Sequence, residues 1–169
     1  DSSYLPASTF KIVNSLIGLQ TGKISSDSMV IKWDGVKRRV EDWNQDLNMY
    51  NAFRVSSVHY YQEVARRIGK DTMQQWIDSL GYGNKNISGP VDSFWLNNTL
   101  KISPDEQLGF LKKLYFDQLP FRKSVQQQVR DVMLRLSASE GVGMWDTFGV
   151  MGGQGSVRLW ESADLAKSD

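Results

Sequence analysis

Apolar residues along this chain recur mostly at helical spacing. Between Thr9 and Gln20, Phe10, Val13, Leu16, Ile17 and Leu19 form one broad stripe, and Gly22 is placed to end the helix. From Ser57 to Ile68, Val58, Tyr61, Val64, Ala65 and Ile68 repeat the spacing, closed by Gly69. A third stripe, Met73, Trp76, Ile77 and Leu80, predicts a helix over Asp71 to Leu80 before Gly81. Ser103, Pro104 and Glu106 read as N-cap, first helical residue and capping-box acid of a fourth helix, which must stop before Pro120. Ser124 with Gln127 reads as a second such start, leading into Val125, Val129, Val132, Met133 and Leu136.

Strand signals are thin. Residues 28–35, "SMVIKWDG", read as a short extended piece running into a turn. After Leu136 the texture changes: residues 137–169 hold six glycines and read as turns and a hairpin, with Ser156 to Trp160 the best strand candidate. "GVMGGQG" (149–155) lacks the Lys-Ser/Thr of a phosphate loop and reads as a turn. There is no repeat and no linker, so 1–169 is expected to be a single domain with an atypical glycine-rich segment over 137–169.

Composition narrows the chemistry. Apolar residues make up 40% and charged residues 23%, ordinary for a globular protein, and the net charge is +1. That balance gives no support to a nucleic-acid partner, and no apolar run approaches the ~20 residues of a membrane span. Cysteine is absent, which excludes thiol catalysis and cysteine-zinc sites. With His59 the sole histidine, no metal site is expected.

One short spacing stands out. Ser8 and Lys11, in "LPASTFKIVNSL", are three apart and would share one helix face. A serine opening a helix lies near its positive end, where an emerging anion is favoured. Lysine can act as the base of such a serine only when apolar surroundings hold the amine neutral, and Leu5, Pro6, Ala7, Phe10 and Ile12 are apolar. The plain alternative is an N-cap Ser8 with a solvated Lys11, and spacing alone favours it.

The wider pattern changes that balance. "PASTFKIVNSL" resembles the active-site signature of the class D (OXA-type) serine β-lactamases, within the penicillin-recognising enzymes. "IKWDGVKRRVEDWNQDL" is similar to that family's K-W-D-G segment, and "FRVSSVHYYQEVARRIG" to its S-x-V helix, with Ser56 and Val58 in the motif positions. Tyr82, Gly83 and Asn84 match its Y-G-N element, and "ISGPVDSFWLNNTLKISPDEQLGFLKKLY" its F-W-L stretch, placing Trp95 at the family's tryptophan. The resemblance covers about residues 4 to 136, in order.

It implies an α/β (α+β) fold of the serine β-lactamase and penicillin-binding-protein transpeptidase type, here mainly the helical region with an incomplete antiparallel sheet. Ser8 would be the acylating nucleophile. Lys11 would react with carbon dioxide to form a carbamate acting as general base, in a dry pocket walled by Val58 and Trp95, whose indole N–H could bond the carbamate. Ser56 would pass a proton to the lactam nitrogen, and the Ser8 N–H would supply half of an oxyanion hole. No other cofactor is implied. The expected partners are β-lactam antibiotics (penicillins, with cephalosporins or carbapenems as further candidates), a homodimer is compatible, and the expected location is the bacterial periplasm or exterior. Taken singly, Trp95 is an ordinary core aromatic, Tyr82 and Asn84 shape a turn, Ser57 is a bystander and His59 a rim or surface residue.

The chain departs from the family beyond Leu136. No Lys-Thr-Gly is present; by position the nearest segment is "WDTFG", with Thr147 as the candidate substrate contact and Asp146 repelling a substrate carboxylate. Truncation, a fragment of a longer gene, a frame disruption near residue 137 and divergence all fit, the abrupt loss favouring the second or third. The expectations are helix faces left exposed, and poor activity of the chain as given. Two readings compete with a hydrolase: a penicillin sensor that stays acylated, and an inactive remnant. Sensors of this fold carry tyrosine in place of Phe10 and asparagine in place of Val58, so these residues favour the hydrolase.

Overall fold

The computed structural model describes residues 2–140, with side chains to Leu136. Helices dominate the described residues: α1 (Phe10–Gln20), α2 (Met49–Arg54), α3 (Val58–Ile68), α4 (Lys70–Leu80), α5 (Pro104–Tyr115) and α6 (Lys123–Glu140). Two short strands, β1 (Val30–Ile31) and β2 (Leu47–Asn48), pair antiparallel, with Val30 opposite Asn48 and Ile31 opposite Leu47. A further isolated bridge joins Tyr4 to Ile102.

Capping explains several boundaries. Ser57 caps α3, its hydroxyl accepting from the Tyr60 N–H, so this residue is the helix's stop-and-start signal and no bystander. Ser103 caps α5 by accepting from the Glu106 N–H at 3.2 Å, while its hydroxyl donates to Glu106 Oε1, and Pro104 takes the first turn as expected. Gly81 ends α4 in the left-handed conformation.

Three helix boundaries are corrected. Helix α6 begins at Lys123, so Ser124 lies inside it rather than capping it, and the helix runs on to Glu140. The residues Ser137 to Glu140 contain no breaker, and extending a formed helix costs far less than starting one. Helix α4 starts at Lys70, one residue early, on an uncapped Gly69. The strand expected at Ser156 to Trp160, the hairpin and Thr147 lie outside the described residues.

The core gathers around α1, which packs against α3 and α6; α3 also packs on α4, and α5 on α6. Every residue from Phe10 to Leu19 is buried. An amphipathic reading underestimated this helix, because elements surround it on all sides. Phe10 anchors an aromatic cluster, stacked on Trp95 at 5.4 Å between ring centroids and edge-on to Tyr82 and Phe94. Among the described helical residues, Leu134 is the large apolar side chain left well exposed, with Phe116 exposed just past α5.

Candidate active site

The site begins with a tight turn. Ala7–Thr9 form one 3₁₀ turn leading directly into α1, and Ser8 sits at its middle, half-buried. Its side chain is no cap: neither the turn nor α1 has a side-chain capping bond. The turn is held by the Thr9 N–H and hydroxyl, both donating to the Pro6 carbonyl, and by the Ala7 N–H donating to the Trp95 carbonyl at 3.1 Å. Ala7 is forced to φ +48°, a region costly for any residue with a Cβ. The backbone at Ser8 is thereby tied to the Trp95 segment.

Lys11 lies one turn on and points inward, only 3% exposed. Its ammonium nitrogen donates to the Phe53 carbonyl at 2.9 Å and to Ser56 Oγ at 2.6 Å, and lies 4.6 Å from the centre of the Phe53 ring. Burial pushes the amine well below the ordinary lysine value. A solvated Lys11 is therefore not what the fold builds.

Ser56 comes from the junction of α2 and α3. Its N–H donates to Phe53 and that of Ser57 to Ala52, folding the chain back at the end of α2. Ser56 itself adopts φ +50°, so both serines lie at or beside a strained backbone position. Ala7, Ser8, Lys11, Ser56, Ser57, Val58, Tyr61, Trp95 and Leu96 line one cavity of about 30 Å³, room for roughly two water-sized groups. The five residues singled out from the sequence, Ser8, Lys11, Ser56, Val58 and Trp95, are thus brought together from three distant stretches. Trp95 is at once a core aromatic and a wall of this cavity.

Sequence reasoning missed Phe53, whose backbone carbonyl accepts from Lys11, and Tyr61, whose hydroxyl pairs with Ser15 Oγ at 2.9 Å. A backbone acceptor leaves no residue-type signal, so Phe53 could not have been found by motif. The residues of the Y-G-N element stand apart from the cavity. Tyr82 is buried and donates to Gln107 Oε1, while Asn84 bridges to the 99–101 backbone. A Cβ on Gly83 would lie 2.0 Å from the Lys101 carbonyl oxygen, so the close approach of these two segments requires glycine. Among the described residues, no group of three or more acids or histidines could hold a metal ion.

Known proteins carry the same arrangement of sequence. Residues 1–152 match the penicillin binding protein transpeptidase domain. Probable beta-lactamase YbxI of Bacillus subtilis (strain 168) is 48% identical over 130 residues, 77% of this chain and 49% of that protein. Regulatory protein BlaR1 of Bacillus licheniformis is 37% identical over 140 residues, 83% of this chain and 23% of that protein. A crystal structure of a class D beta-lactamase from Bacillus subtilis superposes with a TM-score of 0.77 at 47% identity, over 79% of this chain and 56% of that one. The chain thus spans about half the length of YbxI and a smaller part of BlaR1.

Proposed function

Because the chain belongs to the penicillin binding protein transpeptidase domain family, with β-lactamases among its relatives, we propose that it carries the acylation centre of a class D-type β-lactam hydrolase. The observation that carries this reading is the desolvated Lys11, 2.6 Å from Ser56 Oγ in a cavity that Ser8 also lines. An amine held toward its neutral form can take a proton from a serine, which an ordinary ammonium cannot.

Ser8 Oγ attacks the lactam carbonyl carbon as its proton passes to the base at Lys11. The ring C–N bond breaks, and the lactam nitrogen takes a proton through Ser56 Oγ. Water, giving a proton to the same base, then attacks the ester carbonyl carbon; the bond to Ser8 Oγ breaks, Ser8 Oγ takes that proton back, and the opened acid leaves. Half-buried Ser8 meets the substrate, while buried Lys11 stays beneath it.

The residues present also fit a carbamate on Lys11: the amine is pushed toward its reactive neutral form, and the cavity beside it is walled by Val58, Trp95 and Leu96. When formed, that group supplies the general base. Val58 and Trp95 then keep water away from the lysine nitrogen. The bacterial periplasm or exterior, where β-lactams arrive, is the location this reading assigns.

Similarity to BlaR1 favours a second reading, a domain that stays acylated. Phe10 and Val58 speak for the hydrolase. Mass spectrometry of the chain with a penicillin, with and without bicarbonate, tests both. The expected result is an adduct on Ser8 that decays on a timescale of minutes and is absent in Ser8→Ala. An adduct persisting for hours would support the sensor, and no adduct at all would overturn both.

A further inference from the structure

His59 sits where the catalytic cavity and an open charged groove share one helix. Its Nδ1 lies 3.1 Å from Ser57 Oγ, and its ring packs at 6.3 Å against Trp43, whose indole N–H donates to the Val55 carbonyl. Ser57 is fully buried and lines the cavity with Lys11 and Ser56. Its hydroxyl oxygen already accepts from the Tyr60 N–H at 3.3 Å, so its proton needs an acceptor, and His59 Nδ1 is the one within reach.

We propose that His59 is a positioning residue for the Ser56–Val58 segment, acting through Ser57: the chain of bonds Tyr60 N–H to Ser57 Oγ–H to His59 Nδ1 holds the Ser57 hydroxyl away from the Lys11 cavity. The inference rests on the site assignment above for its effect on rate, but the bond itself does not. If His59 takes a second proton, Nδ1 becomes a donor. Ser57 Oγ then accepts two bonds, and its hydroxyl proton turns toward the cavity, placing an extra donor beside Ser56 and Lys11. The base is weakened and the segment loosened.

The charged groups around the imidazole set when this happens. Asp34 and Arg38 face it from the loop after β1, Lys32 lines the same groove, and Glu63, Arg66 and Arg67 come from α3 itself. Burial first, then Arg38, lower the imidazole's affinity for a proton against the opposing pull of Asp34. The neutral ring is therefore the resting form at neutral pH, and protonation belongs to the range below the usual 6.5.

The chain has one histidine, so a ¹H–¹⁵N spectrum of the imidazole has a single residue to read. The expected result at pH 7.5 is the Nε2–H tautomer, with the Nδ1 signal moved by Ser57→Ala. An Nδ1–H tautomer, or a spectrum indifferent to Ser57→Ala, overturns the proposal whatever the chain's activity. Labelling of Ser8 by a fluorescent penicillin between pH 5 and 8 then reads the coupling. The rate should fall about fivefold on the acid side, the scale of one net hydrogen bond, with a midpoint matching the imidazole titration. His59→Asn, whose amide oxygen can replace Nδ1 but does not titrate, should remove that step while keeping the rate at pH 7.5. An unchanged step in His59→Asn overturns the coupling. Absence of labelling in the parent chain counts against the β-lactam reading instead, leaving the spectrum to decide on His59.

Discussion

Helix α3 divides two environments that handle charge in opposite ways. On one side Val58 and Tyr61 line a cavity of about 30 Å³ with Lys11, whose nitrogen donates to a carbonyl and a hydroxyl beside an aromatic face. On the other side His59, Glu63, Arg66 and Arg67 border an open groove of about 470 Å³. There Glu63 pairs with both arginines, Arg66 reaches Asp92 at 2.8 Å, and Arg38 grips Asp34 with two bonds. In the groove the carboxylates and guanidinium groups face one another as ion pairs at the surface. The Arg38 guanidinium even holds the exposed Asp34 carboxyl well below the usual range. In the cavity, desolvation dominates, and an ordinary cation becomes a candidate base. Burial is what pushes this amine below its ordinary range, and on the proposed reading that is what makes it a base.

The largest test of that contrast is Lys11→Met, which keeps length and removes the amine. Acylation of Ser8, followed by fluorescent-penicillin labelling, is expected to slow by at least about a hundredfold, the range for losing a general base. A change below tenfold would mean that the cavity lysine is not the base. The same variant exposes the energetic side of the comparison. The Lys11 pKa is lowered in the folded chain, so below 10.5 the unfolded state takes up a proton that the folded state refuses. Stability of the parent should therefore fall, relative to Lys11→Met, as pH drops from that value toward the lowered folded one. The slope is ~1.4 kcal/mol per pH unit inside that window, flattening once the folded amine also protonates. Urea titrations in bicarbonate-free buffer from pH 10.5 downward measure it, and parallel curves for the two proteins would contradict a desolvated amine.

Smaller effects belong to the wall and the groove. Ser57→Ala removes the α3 cap and should cost about 1 kcal/mol in denaturant unfolding; no loss would mean that the cap is replaced by water. Arg66→Ala, on the wet side, should change stability by less than about 1 kcal/mol, and by less still in 1 M salt. A salt-independent loss of several kcal/mol would show that the groove is drier than its exposure indicates.

Much of this was legible in the residues, for definite reasons. The long helices announced themselves because their stripes persist for ten residues or more and end at Gly69 and Gly81. The Ser103–Glu106 box carried its own chemistry: the Glu106 N–H donates to the Ser103 hydroxyl, which in turn donates to Glu106 Oε1. What stayed hidden was short or made of backbone. Strand β2 has two residues and α2 six, too few for any period, and α2 ends at the turn that positions both Ser56 and the Phe53 carbonyl. Ser57 and Ser124 show the same limit from opposite sides. Both fit a capping pattern by type, yet only the chain's path decides that Ser57 caps and Ser124 does not. For the site, residue types named Ser8 and Lys11, but the inward direction of the lysine depends on Phe53, Ser56 and Trp95 arriving from elsewhere.

The left-handed backbone at Ala7 and Ser56 bears on how such a sequence would drift under selection for heat resistance alone. Glycine at either position would shed the clash between Cβ and carbonyl. At Ala7 such a screen would gain directly, whereas at Ser56 the gain is offset by losing the hydroxyl that accepts from buried Lys11. Variants enriched by heat but no longer challenged with substrate should accumulate Ala7→Gly before any change at Ser56, so that the turn presenting Ser8 is the first part of the chain to drift.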